Sequence, residues 1–192
     1  MSIKKIHKEQ PETFEFNEKS MEAANKIVSN YPDGRQQSAV MALLYIAQRQ
    51  HDNWIPLKAM KYIAKFLDMP YIKVYEVATF YSMYNLSPVG KNHIEVCTTS
   101  PCMLRGSDEI LVKLKKLTGI STGEISKDCV FSLNKVECLG ACVNAPVVKI
   151  NENYYEDLNL QSVEELINKL RNNKKIKIGP QTSRKGSEPR KN

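Results

Sequence analysis

The sequence predicts an α+β chain, with a helical bundle over residues 17–88 and an α/β domain over 89–172. Three observations carry this. Apolar residues recur at helical spacing in four successive stretches before Gly90. After Gly90 the pattern turns to short alternating runs separated by helical stripes. All five cysteines fall in that second half, four of them in two tight pairs.

Residues 1–16 are polar, lack periodicity and read as an extended arm. A helix is expected from Asn17, whose side-chain oxygen can accept a bond from a free N–H of the first turn. Met21, Ala24, Ile27 and Val28 form its stripe, and Pro32-Asp33-Gly34 ends it. The next helix, Gln36 to His51, has a wide apolar belt (Val40, Leu43, Leu44, Ala47, with Met41, Tyr45 and Ile46) and so should be central. Pro56 suits the first turn of a third helix with Leu57, Met60, Ile63, Ala64 and Leu67 inside. Met69-Pro70 breaks it. A fourth helix is expected over Tyr71 to Tyr84, and Ser87-Pro88-Val89-Gly90 closes the bundle. Trp54, Tyr75, Phe80, Tyr81 and Tyr84 read either as core or as a partner surface.

In the second half, Asn92 to Cys97 reads as a strand alternating Ile94 and Val96. Ser107 is the expected cap of a helix with Asp108 and Glu109 in its first turn, where the dipole favours anions. Ile110, Leu111, Leu114 and Leu117 are its buried stripe. Val130 to Val136 and Val147 to Ile150 read as strands, with Tyr154-Tyr155-Glu156 returning as a hairpin. A last helix should open at Ser162 with Glu165 as a capping box and bury Val163, Leu166, Ile167 and Leu170. Strand, helix, strand, strand, helix is an order compatible with a thioredoxin-like α/β sandwich. Residues 173–192 form a basic tail without a core-forming pattern, expected to be disordered alone.

Charge excludes one class of function. The net +7 resembles a nucleic-acid signal until it is located. Eight of the 28 cations and one of the 21 acids lie from Arg171 onward, which leaves 20 of each before it. The excess is in the tail, not on a folded face. Helices three and four share the spacing of a helix-turn-helix reader (Ile63-Ala64, Met69, Val74). The would-be recognition helix offers only Lys73 as a cation and no Arg, so base reading is not supported. The tail reads as docking on neighbouring subunits or on lipid. No apolar run approaches the ~20 residues that cross a bilayer. No signal peptide is expected, and a reducing compartment follows, which favours metal or redox use of cysteine over disulfides.

The cysteines are Cys97 and Cys102 in C-T-T-S-P-C, and Cys138 and Cys142 in C-L-G-A-C, 35 residues apart. Four thiolates so grouped can converge on one soft metal centre. Spacing alone permits an iron–sulfur cluster or structural zinc. Neither pair includes a histidine, which argues against Rieske coordination. Pro101 fixes one backbone angle of the first loop, and the remaining amides are free to hydrogen-bond to sulfur. Met103, Leu104, Leu139 and Val143 are expected to shield the site from water. Arg105 is the nearest cation in sequence and reads as a charge beside the centre or as a solvated side chain. Cys129 lies outside the quartet and reads as structural, and His7, His51 and His93 are scattered, with no ligand role.

C-T-T-S-P-C-M-L-R-G followed by E-C-L-G-A-C-V-N-A-P resembles the cluster motif of the E-subunit family of NADH:quinone oxidoreductase, respiratory complex I. V-Y-E-V-A-T-F-Y-S-M-Y-N at Val74 to Asn85 and W-I-P at Trp54 to Pro56 are similar to that family's helical half. Gly179-Pro180-Gln181 with Glu188-Pro189 resembles the longer C-terminal extension of its mitochondrial and alphaproteobacterial branch. The resemblance spans about Phe14 to Pro189. It implies a helical N-terminal bundle, a thioredoxin-like [2Fe-2S] ferredoxin domain, and one [2Fe-2S] cluster held by Cys97, Cys102, Cys138 and Cys142. It further implies a component of the respiratory enzyme without a complete active site, exchanging single electrons with FMN. FMN and NADH would sit on a partner subunit, beside a neighbouring iron–sulfur subunit. The place would be peripheral, on the cytoplasmic side of a bacterial inner membrane or the matrix side in an organelle. This chain has no Gly-rich nucleotide loop of its own. Two alternatives stand: the diaphorase part of an NAD-linked hydrogenase or formate dehydrogenase, and a zinc-stabilised adaptor without redox role.

Overall fold

The structure is a computed structural model and describes residues 6–187. The first five residues of the arm and the last five of the tail, Glu188 and Pro189 among them, lie outside the described residues. The chain forms two compact units that part between Val89 and Gly90.

The first unit holds α1 (Glu18–Val28), α2 (Val40–Gln50), α3 (Leu57–Phe66) and α4 (Tyr71–Phe80). Asn17 caps α1, its Oδ1 accepting the Ser20 N–H at 2.9 Å. The helix predicted from Gln36 begins as a 3-10 turn, Gln36–Ala39, before α2. α2 is central, burying Val40, Leu43, Leu44, Ile46 and Ala47. Residues 6–16 lie along this unit. Phe16 is buried and meets Tyr62 edge-on, with ring centroids 5.1 Å apart. Gln10 Oε1 accepts the Leu57 N–H at 2.8 Å.

α4 ends four residues before the predicted Tyr84, because Tyr81 takes an extended backbone. The departure turns Tyr84 inward. It is fully buried, and its hydroxyl donates to the Met41 carbonyl at 2.9 Å. The aromatic group thus divides. Tyr84 and Trp54 are core, whereas Phe80 is 68% exposed.

The second unit is a six-stranded mixed sheet, ordered β2-β3-β1-β4-β5-β6. Its strands are β1 (Asn92–Cys97), β2 (Glu124–Ile125), β3 (Phe131–Val136), β4 (Val148–Ile150), β5 (Asn153–Glu156) and β6 (Gly179–Pro180). β1 pairs parallel with β3, and β4 and β5 form the antiparallel hairpin. Two longer helices, α6 (Ser107–Thr118) and α7 (Leu160–Arg171), follow a short α5 (Ser100–Leu104). Ile110, Leu111 and Leu114 of α6 and Val163, Leu166 and Ile167 of α7 join Ile94, Val96, Phe131, Leu133, Val148 and Ile150 in one core. Period-two alternation sends the other residues of β1 to the opposite face. There His93 Nδ1 lies 2.7 Å from Ser132 Oγ, and Lys149 donates to Glu95 at 2.5 Å, all on neighbouring strands.

Three local expectations change. Ser107 does not cap α6. Gly106, in the left-handed region at φ 94°, holds the N-cap position, and Ser107 is the first helical residue. The capping box of α7 sits one register earlier. Asn159 Oδ1 accepts the Ser162 N–H, and Ser162 Oγ accepts the Asn159 N–H, both at 2.8 Å. Asparagine outranks serine slightly as an N-cap, and the choice adds Leu160 and Gln161 to the helix. The tail departs from the expectation of disorder. β6 pairs parallel with β5, Tyr155 opposite Gly179, and Pro180 is buried. Backbone pairing with β5 and the ion pair of Arg184 with Asp157 help to hold it, and neither has a hydrophobic period to read.

Candidate metal centre

The parallel pairing of β1 with β3 builds the site. Cys97 is the last residue of β1 and lies opposite Val136, the last of β3. Both strands therefore deliver their following loops to the same end of the sheet. Cys102 comes from α5, one turn after β1. Cys138 follows β3 by two residues, and Cys142 opens a 3-10 turn, Cys142–Asn144. Gly140 takes φ 79°, which favours glycine and lets the chain reverse between the two cysteines.

The two pairs have different surroundings. Cys97 and Cys102 are buried, and with Ala145 and Val147 they form a small apolar cluster flanked by Leu139, Ala141 and Tyr154. Cys138 and Cys142 are exposed, with their sulfurs 3.4 Å apart. Within each pair one thiol titrates low and the other high, as expected when two thiols share one proton. Burial pushes the Cys97 thiol up, but the Thr99 hydroxyl and amide, Cys102 and the Leu139 amide outweigh it and leave it below its ordinary range. Burial, then Cys97, pushes Cys102 up to about 12. The Gly140 amide, then Cys142, lowers Cys138. Cys138, then burial, raises Cys142.

These interactions also cross between the pairs. The Leu139 amide of the second loop reaches Cys97. Cys102 feels the charge of Cys142, and Cys142 feels that of Cys97. Thr99 Oγ1 lies 3.4 Å from Cys97 Sγ, and its hydroxyl also helps to lower Cys138. β1 and β3 therefore bring the two predicted pairs to the same end of the sheet, and Cys129 stays apart, exposed just before β3. No three His, Cys, Asp or Glu side chains among the described residues gather round a single point. The sulfurs face one another as two pairs.

The donor set fits a [2Fe-2S] group. It supplies four soft sulfurs, with amides from Leu139, Gly140 and Val147 directed at three of them.

The expected apolar shield is only partly present. Leu139 packs on the buried pair. Leu104 is 81% and Val143 70% exposed, and Met103 is exposed too. All three lie open to solvent instead of forming a lid. Arg105 is exposed but not remote. It lines a cavity of about 270 Å³ together with Cys142, Val143, Ala145 and Arg184. Sequence reasoning missed Thr99 and Arg184. Thr99 stands inside the first motif, where a hydroxyl two residues from a ligand is the available signal. Arg184 stands in the tail, 42 residues past Cys142, with no spacing to mark it.

The family model for the thioredoxin-like [2Fe-2S] ferredoxin matches residues 24–171. The E-subunit protein of NADH-quinone oxidoreductase from Rickettsia bellii is 55% identical over 159 residues, covering 83% of this chain and 95% of that protein. The mitochondrial "NADH dehydrogenase [ubiquinone] flavoprotein 2" of Dictyostelium discoideum is 47% identical over 175 residues, 91% of this chain and 71% of that protein. Among solved structures, an NAD+-reducing [NiFe]-hydrogenase in the air-oxidised state aligns over 70% of this chain with a TM-score of 0.59 and 18% identity. This chain spans 23% of that hydrogenase chain, and the likeness is one of fold.

Proposed function

The chain belongs to the thioredoxin-like [2Fe-2S] ferredoxin family, and we propose that it serves as the electron-transfer subunit of the NADH-oxidising arm of complex I, NADH:quinone oxidoreductase. The single observation that carries this is the placing of Cys97, Cys102, Cys138 and Cys142 at one end of the sheet, in a chain 55% and 47% identical to the two relatives above. The same role in a hydrogenase rests on fold alone.

Cys97 and Cys102 would hold the inner side of the cluster and Cys138 and Cys142 the outer side. A [2Fe-2S] centre bound there supplies storage and release of one electron at a time. The protein's part is to position and to insulate. Ala145, Val147 and Tyr154 keep water from the inner sulfurs. The amides of Leu139, Gly140 and Val147 and the Thr99 hydroxyl direct partial positive charge at sulfur, which favours the more negative, reduced state. The sequence carries no Gly-rich nucleotide loop. NADH and FMN are assigned to a partner subunit, met through the exposed Met103, Leu104 and Val143. A neighbouring iron–sulfur subunit completes the surroundings. No helix among the described residues is long and apolar enough to cross a membrane. The proposed place is peripheral, on the cytoplasmic side of a bacterial inner membrane or the matrix side in a mitochondrion.

The test is spectroscopic. The purified chain should be red-brown, carry two irons and two sulfides, and show an EPR signal on reduction. A colourless chain with one zinc would replace electron transfer with a structural metal.

A further inference from the structure

The second cysteine loop has little to hold it. Residues 137–141 contain no helix or strand, and the 3-10 turn that follows is three residues long. Both its cysteines are exposed. What fixes it comes from elsewhere in the chain. The Asp157 N–H donates to the Asn144 carbonyl at 2.8 Å, and the Asn144 amide donates to Glu156. A further anchor is Arg184. Its Nη2 donates to the Val143 carbonyl at 2.9 Å, one residue past Cys142.

Arg184 is itself held in a fork. Nε donates to Asp157 Oδ2 and Nη2 to Asp157 Oδ1, both at 2.6 Å. Thr182 Oγ1 adds a third bond to Oδ2 at 3.2 Å. The Asp157 side chain is wholly buried and that of Arg184 is 9% exposed. β6 delivers this arginine. Its pairing with β5, continued by the Gln181 N–H to the Glu156 carbonyl at 2.9 Å, runs the tail beside the residue that precedes Asp157. One buried ion pair therefore ties three segments together: the end of β5, the tail and the Cys142 turn. A planar guanidinium can serve a carboxylate and a carbonyl at once, which an ammonium on a flexible stem cannot do in fixed geometry.

We infer that the tail is a strap, and that Arg184, oriented by Asp157, is a positioning residue for the cluster ligand Cys142. The described bonds of Arg184 run to the Asp157 carboxylate and the Val143 carbonyl. It acts by fixing the Val143 peptide, and through it the angle at which Cys142 faces the other three thiolates. Arg184 also lines the cavity that opens on Cys142, so its loss changes the polarity beside the outward pair. The inference rests on the proposal that these cysteines hold a cluster.

The experiment uses the full chain with its cluster loaded. R184A, R184K, D157N and the tail control K175A are compared by EPR of the reduced state, by chelator-driven bleaching of the visible absorption, and by hydrogen exchange of peptides covering residues 138–146. R184A and D157N should bleach about 10- to 100-fold faster, the range seen when residues that orient metal ligands are removed. Their g values should move and the 138–146 peptides should exchange faster, with the far-UV helical signal unchanged. R184K should fall between them and the parent, and K175A should match the parent. Parent-like g values and bleaching in R184A and D157N overturn the strap. If R184A fails to fold, R184K decides: intermediate bleaching supports the fork, and parent-like bleaching overturns it. A parent chain without iron would instead overturn the metal-centre proposal, so the two failures are distinct.

Discussion

Gly90→Ala should damage the cluster domain although it lies outside both cysteine motifs. A Cβ built at Gly90 would stand 2.4 Å from the Phe131 carbonyl carbon, 2.6 Å from the Ser132 nitrogen and 2.8 Å from the Phe131 oxygen. All three are backbone atoms of β3, which pairs with β2 and β1 on its two sides. No rotamer change relieves the overlap, so the strands must move by about 1 Å to reach ordinary carbon contact distances near ~3.5 Å. The movement pulls on the Gly90 N–H bond to Ser132 Oγ at 3.0 Å and on the Asn92 N–H bond to the Val130 carbonyl at 2.9 Å. Overpacking of this kind costs about 1–3 kcal/mol, and rigid neighbours on a central strand place it at the upper end. With an m-value of about 2 kcal/mol/M in urea, the midpoint should fall by about 1 M. The assay follows urea titrations by two signals, bleaching of the visible absorption and far-UV ellipticity. The bleaching midpoint should fall while the helical signal of the first unit keeps its own. A bleaching midpoint unchanged within error would mean that β1 and β3 are not packed this closely.

Three further outcomes are expected. Cys138→Ser should weaken or alter the visible and EPR spectra, while Cys129→Ser should leave them unchanged; equal loss in both would remove the ligand assignment. Stability should fall as pH drops below about 6.5, because burial first, and Lys149 in addition, hold His93 below its ordinary range against the opposing pull of Glu95. The unfolded chain then binds the proton that the folded one refuses, so the contribution is complete above the unfolded value and is lost on acidification at up to about 1.4 kcal/mol per pH unit. His93→Gln should flatten that part of the urea-midpoint profile, and an unaltered slope would exclude His93 as its source. Leu104→Glu, at an 81% exposed side chain, should leave the isolated chain's spectrum and melting unchanged but abolish co-purification with the proposed flavin-bearing partner; normal co-purification would place the docking face elsewhere.

The sequence was most legible where one physical signal dominates. The stripes of α2, α3 and α6 follow from burial of one helical face, and Ile94 and Val96 follow from period two in β1. The site was legible for a related reason: cysteine pairs are rare enough to mark themselves. What escaped depends on competition between neighbours of similar rank. Asn159 and Ser162 are both good caps, and the chain uses one for each half of the box. Tyr84 looked like a continuation of α4 because an aromatic residue suits a helix and a core equally. Its buried hydroxyl has to find the Met41 carbonyl, and that need ends the helix. The tail was read by composition alone. A tail of lysines and asparagines carries no hydrophobic period, and a fork between Arg184 and Asp157 leaves none to find.

The asymmetry of the two cysteine pairs ties the fold to the function. The inner pair comes from β1 and α5, elements seated on the sheet, and is buried with Val147. The outer pair comes from a loop and is exposed, as is Val143 beside Cys142. In the proposed function, a partner covering Val143 would meet the neighbouring Cys142 first, and the outward sulfurs would give the shorter electron path. The same exposure leaves the outward ligands open to water and chelators in the isolated chain. A loop open enough to serve as an electron port is too open to hold its own shape, and here its anchors come from β5 and the tail. Partner docking should therefore slow chelator-driven bleaching of the parent chain more than that of R184K. The partner can shield a well-placed Cys142, but it cannot restore the geometry that the guanidinium fork provides. Equal protection of parent and variant would show that the partner, not the tail, sets the position of Cys142.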